Sequence, residues 1–331
     1  MSPDNTSAIM RIISKVVRVY DFLNRFGRRV LMSTLVDEIN QLKKEKNAVI
    51  LAHYYVDDEV QAIADYVGDS FYLAKVAVDL KEEVIVFAGV EFMGESAKIL
   101  NPKKTVLLPD ATADCPMAHM CTAAKIEAVR AEYDDVAVVC YINSVAELKM
   151  HSDVCVTSAN ALKIVKALSN KNIFFIPDEN LGRYIASQVQ DKNFIFNDGY
   201  CPIHKQLDAS VILEAKDKHK DAEVLVHPEC TMDVLQYADY IGSTSGIINY
   251  ATASDKKEFI VATEMGVLYE LRMKNPDKKF YSANQVCTDM KKITLEKVRD
   301  CLKNMTGVVE VVDEVRKKSL VPLTKMLDLA K

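Results

Sequence analysis

Cys115, Cys201 and Cys287 have the type and spacing to do chemistry: 201 − 115 and 287 − 201 are both 86. Each sits where a strand should give way to a loop: Cys115 in Asp114-Cys115-Pro116, Cys201 in Gly199-Tyr200-Cys201-Pro202-Ile203-His204, Cys287 in Asn284-Gln285-Val286-Cys287. One long interval used twice points to three copies of a unit and to three thiolates that meet. Three thiolates hold zinc or an iron–sulfur cluster. Structural zinc takes a fourth protein ligand and favours close pairs such as C-x-x-C, and the chain has no C-x-x-C. Three widely spaced cysteines in a cavity suit a [4Fe-4S] cluster with one iron open, which acts as a Lewis acid on substrate oxygen or nitrogen. Cys140 and Cys155 lie inside apolar runs and read as small core residues. Cys121, six residues from Cys115, and Cys230 receive no role.

Polar side chains follow nearly the same interval. His53, Tyr141 and His227 each end an apolar run, with 141 − 53 equal to 88 and 227 − 141 equal to 86. Ser70, Ser158 and Thr244 each follow the next run, again 88 and 86 apart (158 − 70, 244 − 158). All three precede helical stretches, so at least one is expected to be an N-cap. A helix N-terminus also binds anions through its free N–H groups and dipole. Three such termini round one cavity would hold carboxylates or a phosphate without arginine. Tyr55, Asn143 and Glu229 complete the polar set. Glu229, two residues past His227, is placed to share its cavity and act as a general base. His119, His151, His204 and His219 have no place in the repeat and read as structural or exposed.

Elements must bring these residues together. From Ala48 the chain alternates β-branched runs with helical stretches, the pattern of a parallel sheet with crossover helices. The first unit has runs at Ala48–His53, Tyr66–Gly68, Val84–Ala88 and Thr105–Leu108. The second has Val136–Tyr141, Val154–Thr157, Ile173–Ile176 and Asn193–Phe196. The third has Glu223–His227, Asp239–Gly242, Phe259–Ala262 and a weak strand round Phe280. Ligand sites in open parallel sheets lie at the carboxyl ends of strands, so three sets of ends are expected to face one cavity. The units divide the chain into a segment 1–39, α/β repeats at 40–125, 126–212 and 213–305, and a segment 306–331. Repeats this small are expected to share interfaces.

The 331 residues are 49% hydrophobic and 27% charged, with a net charge of −5, as expected for a globular chain with more than one domain. No basic stripe with interleaved aromatics supports a nucleic-acid partner, and no apolar run approaches the roughly 20 residues of a membrane helix. Eight cysteines in a chain of this length do not read as a secreted disulfide framework, and no secretory leader is evident. A reducing cytoplasmic location is expected. In the amino-terminal segment Ile9, Ile12, Ile13, Val16, Tyr20 and Leu23 share a helical face, with Arg11, Lys15, Arg18, Arg25 and Arg29 mostly opposite. It is read as a helix on the first domain or an extension without a role in the fold; a transit peptide would look similar.

The chain resembles the quinolinate synthase family. The likeness rests on Ala52-His53-Tyr54-Tyr55, Gly68-Asp69-Ser70, Tyr141-Ile142-Asn143-Ser144, the Cys201 motif, His227-Pro228-Glu229 and Gly242-Ser243-Thr244-Ser245-Gly246, in order over about residues 40–305. It implies three similar α/β/α domains with small parallel sheets about a pseudo-threefold axis. It implies a [4Fe-4S] cluster on Cys115, Cys201 and Cys287, and condensation of iminoaspartate with dihydroxyacetone phosphate to quinolinate, phosphate and water in NAD biosynthesis. The enzyme supplying iminoaspartate is a candidate partner. By the same likeness His53, Ser70, Tyr141, Ile142, Asn143, Ser158, His227, Pro228, Glu229 and Thr244 hold substrate, and Tyr55, Tyr141, His227 and Glu229 are the acid–base candidates. Some family members place the third cysteine in a C-x-x-C-x-x-C run; here Cys287 stands alone, and no regulatory disulfide is expected there. The basic amino-terminal segment is outside the pattern. An aconitase-like dehydratase and a non-catalytic metal or cluster sensor are the alternatives.

Overall fold

The structure is a computed structural model and describes residues 32–331. The basic amphipathic stretch of the sequence lies, up to residue 31, outside the described residues. The strands are β1 (Ala48–His53), β2 (Tyr66–Gly68), β3 (Val84–Ala88), β4 (Thr105–Leu107), β5 (Val136–Tyr141), β6 (Val154–Val156), β7 (Asn172–Ile176), β8 (Asn193–Phe196), β9 (Glu223–Val226), β10 (Tyr240–Ile241), β11 (Glu258–Ala262) and β12 (Lys279–Ser282). β1, β3 and β5 are buried at every position, as continuous β-branched runs in parallel sheets are.

They form three four-stranded sheets in one repeated order: β2-β1-β3-β4, β6-β5-β7-β8 and β10-β9-β11-β12. All pairings within them are parallel, and the register repeats as well. Ile50 faces Val86, Val138 faces Phe174, and Val224 faces Ile260, positions related by the 88- and 86-residue intervals. In each sheet the first strand lies between the second and the third. The loops leaving the first and third strands therefore diverge and open a crevice at their carboxyl ends. The fold is α/β with three similar parallel-sheet units.

One continuous core joins the first two sheets. It takes in Leu35 and Ile39 from a helix at 32–45, and Leu323 and Met326 from the helix Asp313–Leu329. The third sheet has a separate cluster on each face, Leu225 and Val261 on one and Val224 and Ile260 on the other, as period-two alternation requires. The Ser319 hydroxyl in the last helix donates to the Ala146 carbonyl at 2.7 Å. Just before that helix, Leu107 and Val308 make an antiparallel bridge at the edge of the first sheet. Gly307 has φ +74°, and a Cβ there would come within 2.0 Å of the Leu108 carbonyl oxygen; only glycine fits. No helix among the described residues is long and apolar enough to cross a membrane.

Candidate active site

One backbone hydrogen bond fixes the chain beside each cysteine. The N–H groups of Glu91, Glu179 and Met265, in the loops or helices after β3, β7 and β11, donate to the carbonyls of Ala113, Gly199 and Gln285 at 3.0, 2.8 and 2.9 Å. Each acceptor lies two residues before a cysteine. Gly199 is needed at its position, because a Cβ would approach the Pro177 carbonyl oxygen at 2.5 Å and Met120 Cβ at 2.8 Å. In the second and third units a buried carboxylate then holds the cysteine itself. Asp178 Oδ2 accepts from the Cys201 N–H at 3.0 Å, and Glu264 Oε1 from the Cys287 N–H at 3.2 Å.

The three thiols are free and half-buried. Burial pushes each of them up from its ordinary pKa. Backbone N–H groups of the turn that follows pull the other way: Ala118 and Met117 for Cys115, His204 for Cys201, Met290 and Asp289 for Cys287. Sulfur ligands with N–H donors around them are what iron–sulfur clusters take, so these residues fit such a group. Among the described residues the sets of three donors lying within 4.8 Å of one another are Cys201–His204–Glu229 and the surface set Glu91–Asp114–His119; the three thiols are not such a set. Cys140 and Cys155 are fully buried register partners on β5 and β6. Cys121 and Cys230 are buried and do not line the cavity.

The thiols line a cavity of about 190 Å³ between the units. His53, Tyr55, Ser70, Tyr141, Asn143, Ser158, His227, Glu229 and Thr244 line it too, so the positions related by interval do converge. Ile142 and Pro228 do not line it. The chain bends directly after β5 and turns at Pro228-Glu229 after β9, where the Cys230 N–H donates to the His227 carbonyl at 3.0 Å, and these bends bring Tyr141 and Asn143, like His227 and Glu229, to the cavity. The capping expectation also needs correction. The caps are one residue earlier: Asp69 accepts from the Tyr72 N–H and Ser243 from the Gly246 N–H, while Asn160 precedes the helix Ala161–Ala167 without a side-chain cap bond. Ser70 and Thr244 are thereby freed to face the cavity.

Glu229 is the hub of the polar groups. Its Oε1 accepts from the Tyr141 hydroxyl at 2.6 Å, and its Oε2 lies 2.7 Å from His204 Nδ1. Burial would raise this carboxyl, but the His227 and His204 rings and the Tyr141 hydroxyl outweigh it and hold it below the usual carboxylate range. Burial pushes His53 and His227 down to about 3, so both are neutral imidazoles. Burial, with Glu229 next, pushes Tyr55 and Tyr141 well above the usual phenol range, so both keep their protons. His227 Nε2 lies 3.2 Å from the Ser158 hydroxyl. The Tyr55 hydroxyl lies 2.8 Å from those of Thr244 and Thr263.

Sequence reasoning missed His204, Thr157 and Glu264, all of which line the cavity. His204 is 1% exposed and is part of the site, not an exposed residue. The Thr157 hydroxyl and Asn143 Oδ1 are buried without a hydrogen-bond partner among the described residues. Glu264 carried a readable signal, since 264 − 178 is again 86. Of the remaining histidines, His119 pairs with Asp114 at 2.8 Å on the surface, and His219 stacks on Tyr281.

A family model described as quinolinate synthetase A protein matches residues 37–328. Among curated relatives, the quinolinate synthase of Clostridioides difficile (strain 630) is 55% identical over 298 residues, covering 89% of this chain and 98% of the relative. That of Fusobacterium nucleatum subsp. nucleatum is 55% identical over 295 residues, covering 89% and 99%. That of Caldicellulosiruptor bescii is 50% identical over 300 residues, covering 90% and 99%.

Proposed function

The chain belongs to the quinolinate synthase family of enzymes, and we propose that its cavity condenses iminoaspartate with dihydroxyacetone phosphate, releasing quinolinate, phosphate and water in NAD biosynthesis. The observation that carries this reading is that three thiols, one from each unit, share a cavity with a hydrogen-bonded set of acid–base groups.

On this reading Cys115, Cys201 and Cys287 hold a [4Fe-4S] cluster, which, when bound with one iron open, supplies a Lewis acid to substrate oxygen or nitrogen. Thiols set wider than the ligands of one ion support it. The protein's own residues do the rest. Both substrates are anionic, and no lysine or arginine is among the cavity's lining residues. Anion binding therefore falls to Ser70, Ser158, Thr244, Asn143 and Thr157, and to the N-termini of the helices Ser70–Asp79 and Thr244–Ala253. Glu229 removes a proton from substrate carbon. Tyr55 and Tyr141 hold theirs until an oxygen leaves and needs one. The neutral rings of His53 and His227 orient substrate through hydrogen bonds. Residues 40–125, 126–212 and 213–305 are the three units in this scheme. Free thiols suit a reducing cytoplasm, where the enzyme that makes iminoaspartate would be the partner.

The test is anaerobic purification with iron and sulfide counts, an optical spectrum and a quinolinate assay from the two substrates. About four irons per chain and quinolinate formation are expected. Dehydration of another hydroxy acid in place of quinolinate formation would replace the reading with a dehydratase. A single divalent ion on Cys201, His204 and Glu229 is the competing arrangement, favoured by their mutual closeness; zinc without iron in anaerobic protein would establish it.

A further inference from the structure

Asp69 is buried, and its two carboxylate oxygens serve two helices from different units. Oδ1 accepts from the Tyr72 N–H at 2.9 Å and caps the helix Ser70–Asp79 of the first unit. Oδ2 accepts from the hydroxyl of Ser245, in the first turn of the helix Thr244–Ala253 of the third unit. Ser245 Oγ also lies 3.1 Å from Ser243 Oγ, which caps the second helix by accepting from the Gly246 N–H at 3.1 Å. One run of hydrogen bonds therefore joins the first turns of both helices. Neither helix has an acidic residue in its own first turn. Each N-terminus carries roughly half a positive charge, so two brought together repel, and a carboxylate between them stabilises both. Ser70 and Thr244, the first residues of these helices, line the central cavity. Ser245 does not; it faces an outer groove between the two units, and Asp69 borders both spaces.

We propose that Asp69 and Ser245 are positioning residues that latch the first unit to the third, holding Ser70 and Thr244 at the spacing at which both bind one anionic group of substrate. The inference rests on the reading that these two residues and their helix ends hold substrate anions. The latch belongs to one unit boundary. By the 88- and 86-residue intervals Asp69 is matched by Thr157 and Ser243, and Ser245 by Phe71 and Ala159, so no other boundary sets a carboxylate against a hydroxyl at this place. The Thr157 hydroxyl is left without a partner among the described residues. The Tyr55 hydroxyl, 2.8 Å from that of Thr244, ties the same two units on the cavity side, so losing the latch should loosen the pair of helix ends and not part the units. Asp69 is itself a negative charge beside an anion site. Substituting it would mix a lost latch with relieved repulsion. Ser245 is uncharged and outside the cavity, and it isolates the latch.

Ser245→Ala removes the donor; Ser245→Thr keeps it. In anaerobically purified holoenzyme, KM for one of the two anionic substrates should rise roughly 10-fold in Ser245→Ala, the lower end for a lost hydrogen bond to a charged group. KM for the other, and kcat, should stay within about 2-fold, and iron content should not change. Which KM moves tells whether the latched pair holds the phosphate or a carboxylate. Ser245→Thr should restore it. Independently of turnover, calorimetric titration of the same preparations with inorganic phosphate and with quinolinate should show one of the two bound roughly 10-fold more weakly by Ser245→Ala. Ser245→Cys, with a weaker donor of similar size, should show a smaller loss in the same anion and carries the test if the alanine variant does not fold. Unchanged binding of both anions would overturn the latch. Equal weakening of both would overturn it too, since a general loosening of the cavity does not choose between them, and so would a threonine variant as weak as the alanine. Selective loss of one anion in a protein that forms no quinolinate in any variant would support the latch and strike the proposed function instead.

Discussion

The second and third units hold their cysteines in one way and the first unit in another. Asp178 and Glu264 are 0% exposed, follow equivalent strands, and accept the N–H of Cys201 and Cys287. The equivalent place in the first unit, 88 residues before Asp178, is Val90. There the Cys115 N–H is taken at 2.7 Å by its own neighbour, Asp114, whose side chain is 38% exposed and pairs with a half-exposed His119. The backbone bond that fixes all three loops is retained. A repeat thus preserves where the chain goes, while the strength of each hold depends on which side chain the unit carries. Two corners of the thiol triangle are braced from inside and one from the surface.

The difference between the holds should not extend to the three proposed cluster ligands themselves. Cys115→Ser, Cys201→Ser and Cys287→Ser should each lose the cluster and all turnover, since each removes one of three thiolates. Replacing Cys121, Cys140, Cys155, Cys230 or Cys301 should leave iron intact. Iron and sulfide analysis of anaerobic preparations checks this; a Cys115→Ser protein with full iron would break the threefold role. Next in size is Glu229→Gln, which keeps the shape but cannot take a proton. Turnover should fall roughly 10²-fold or more with the cluster spectrum unchanged, because Glu229 belongs to the polar wall and not to the thiol corners. Near-normal turnover would remove it from the mechanism.

The interval in the sequence made the shared features legible and left the unshared ones hidden. The strands were readable because β1, β3 and β5 are runs buried at every position, and β9 at all but its first residue, Glu223. His53, Tyr141 and His227 were readable because a strand end recurs at one spacing. His204 and Thr263 have no counterparts, and their partners lie 25 and 208 residues away (229 − 204, 263 − 55), so only the packed units reveal them. The caps were misplaced by one residue because Asp69 and Ser70, or Ser243 and Thr244, are equally able to cap, and only backbone geometry separates them.

The braces give the next effect. Asp178→Asn and Glu264→Gln each put an amide where two backbone N–H groups seek acceptors: Leu181 and Cys201 for one, Gly266 and Cys287 for the other. One N–H is left without an acceptor in a buried place. Outer partners of metal ligands typically count for 10–100-fold in metal affinity. Iron loss to a chelator should accelerate by about that factor in both variants. Equal retention in wild type and Asp178→Asn would show that the inner brace does not tension the corner.

Asp114→Asn is the smallest expected effect and the sharpest test of the difference. The substitution weakens the pair with His119 and the bond to the Cys115 N–H. Both are near solvent, and water can replace a lost acceptor there. Exposed pairs of this kind contribute about 0–1 kcal/mol, so iron release should change by no more than about 5-fold. The Glu91–Ala113 backbone bond still fixes the loop, which is why the corner should survive. Chelator-driven iron release measured side by side on Asp114→Asn, Asp178→Asn and Glu264→Gln decides the matter. If the three variants release iron at the same rate, the carboxylates act alike whatever their burial, and the inner and surface braces are one device. If only the buried pair accelerates release, the first unit's corner is held by its backbone alone, and the missing acid at Val90 is the reason.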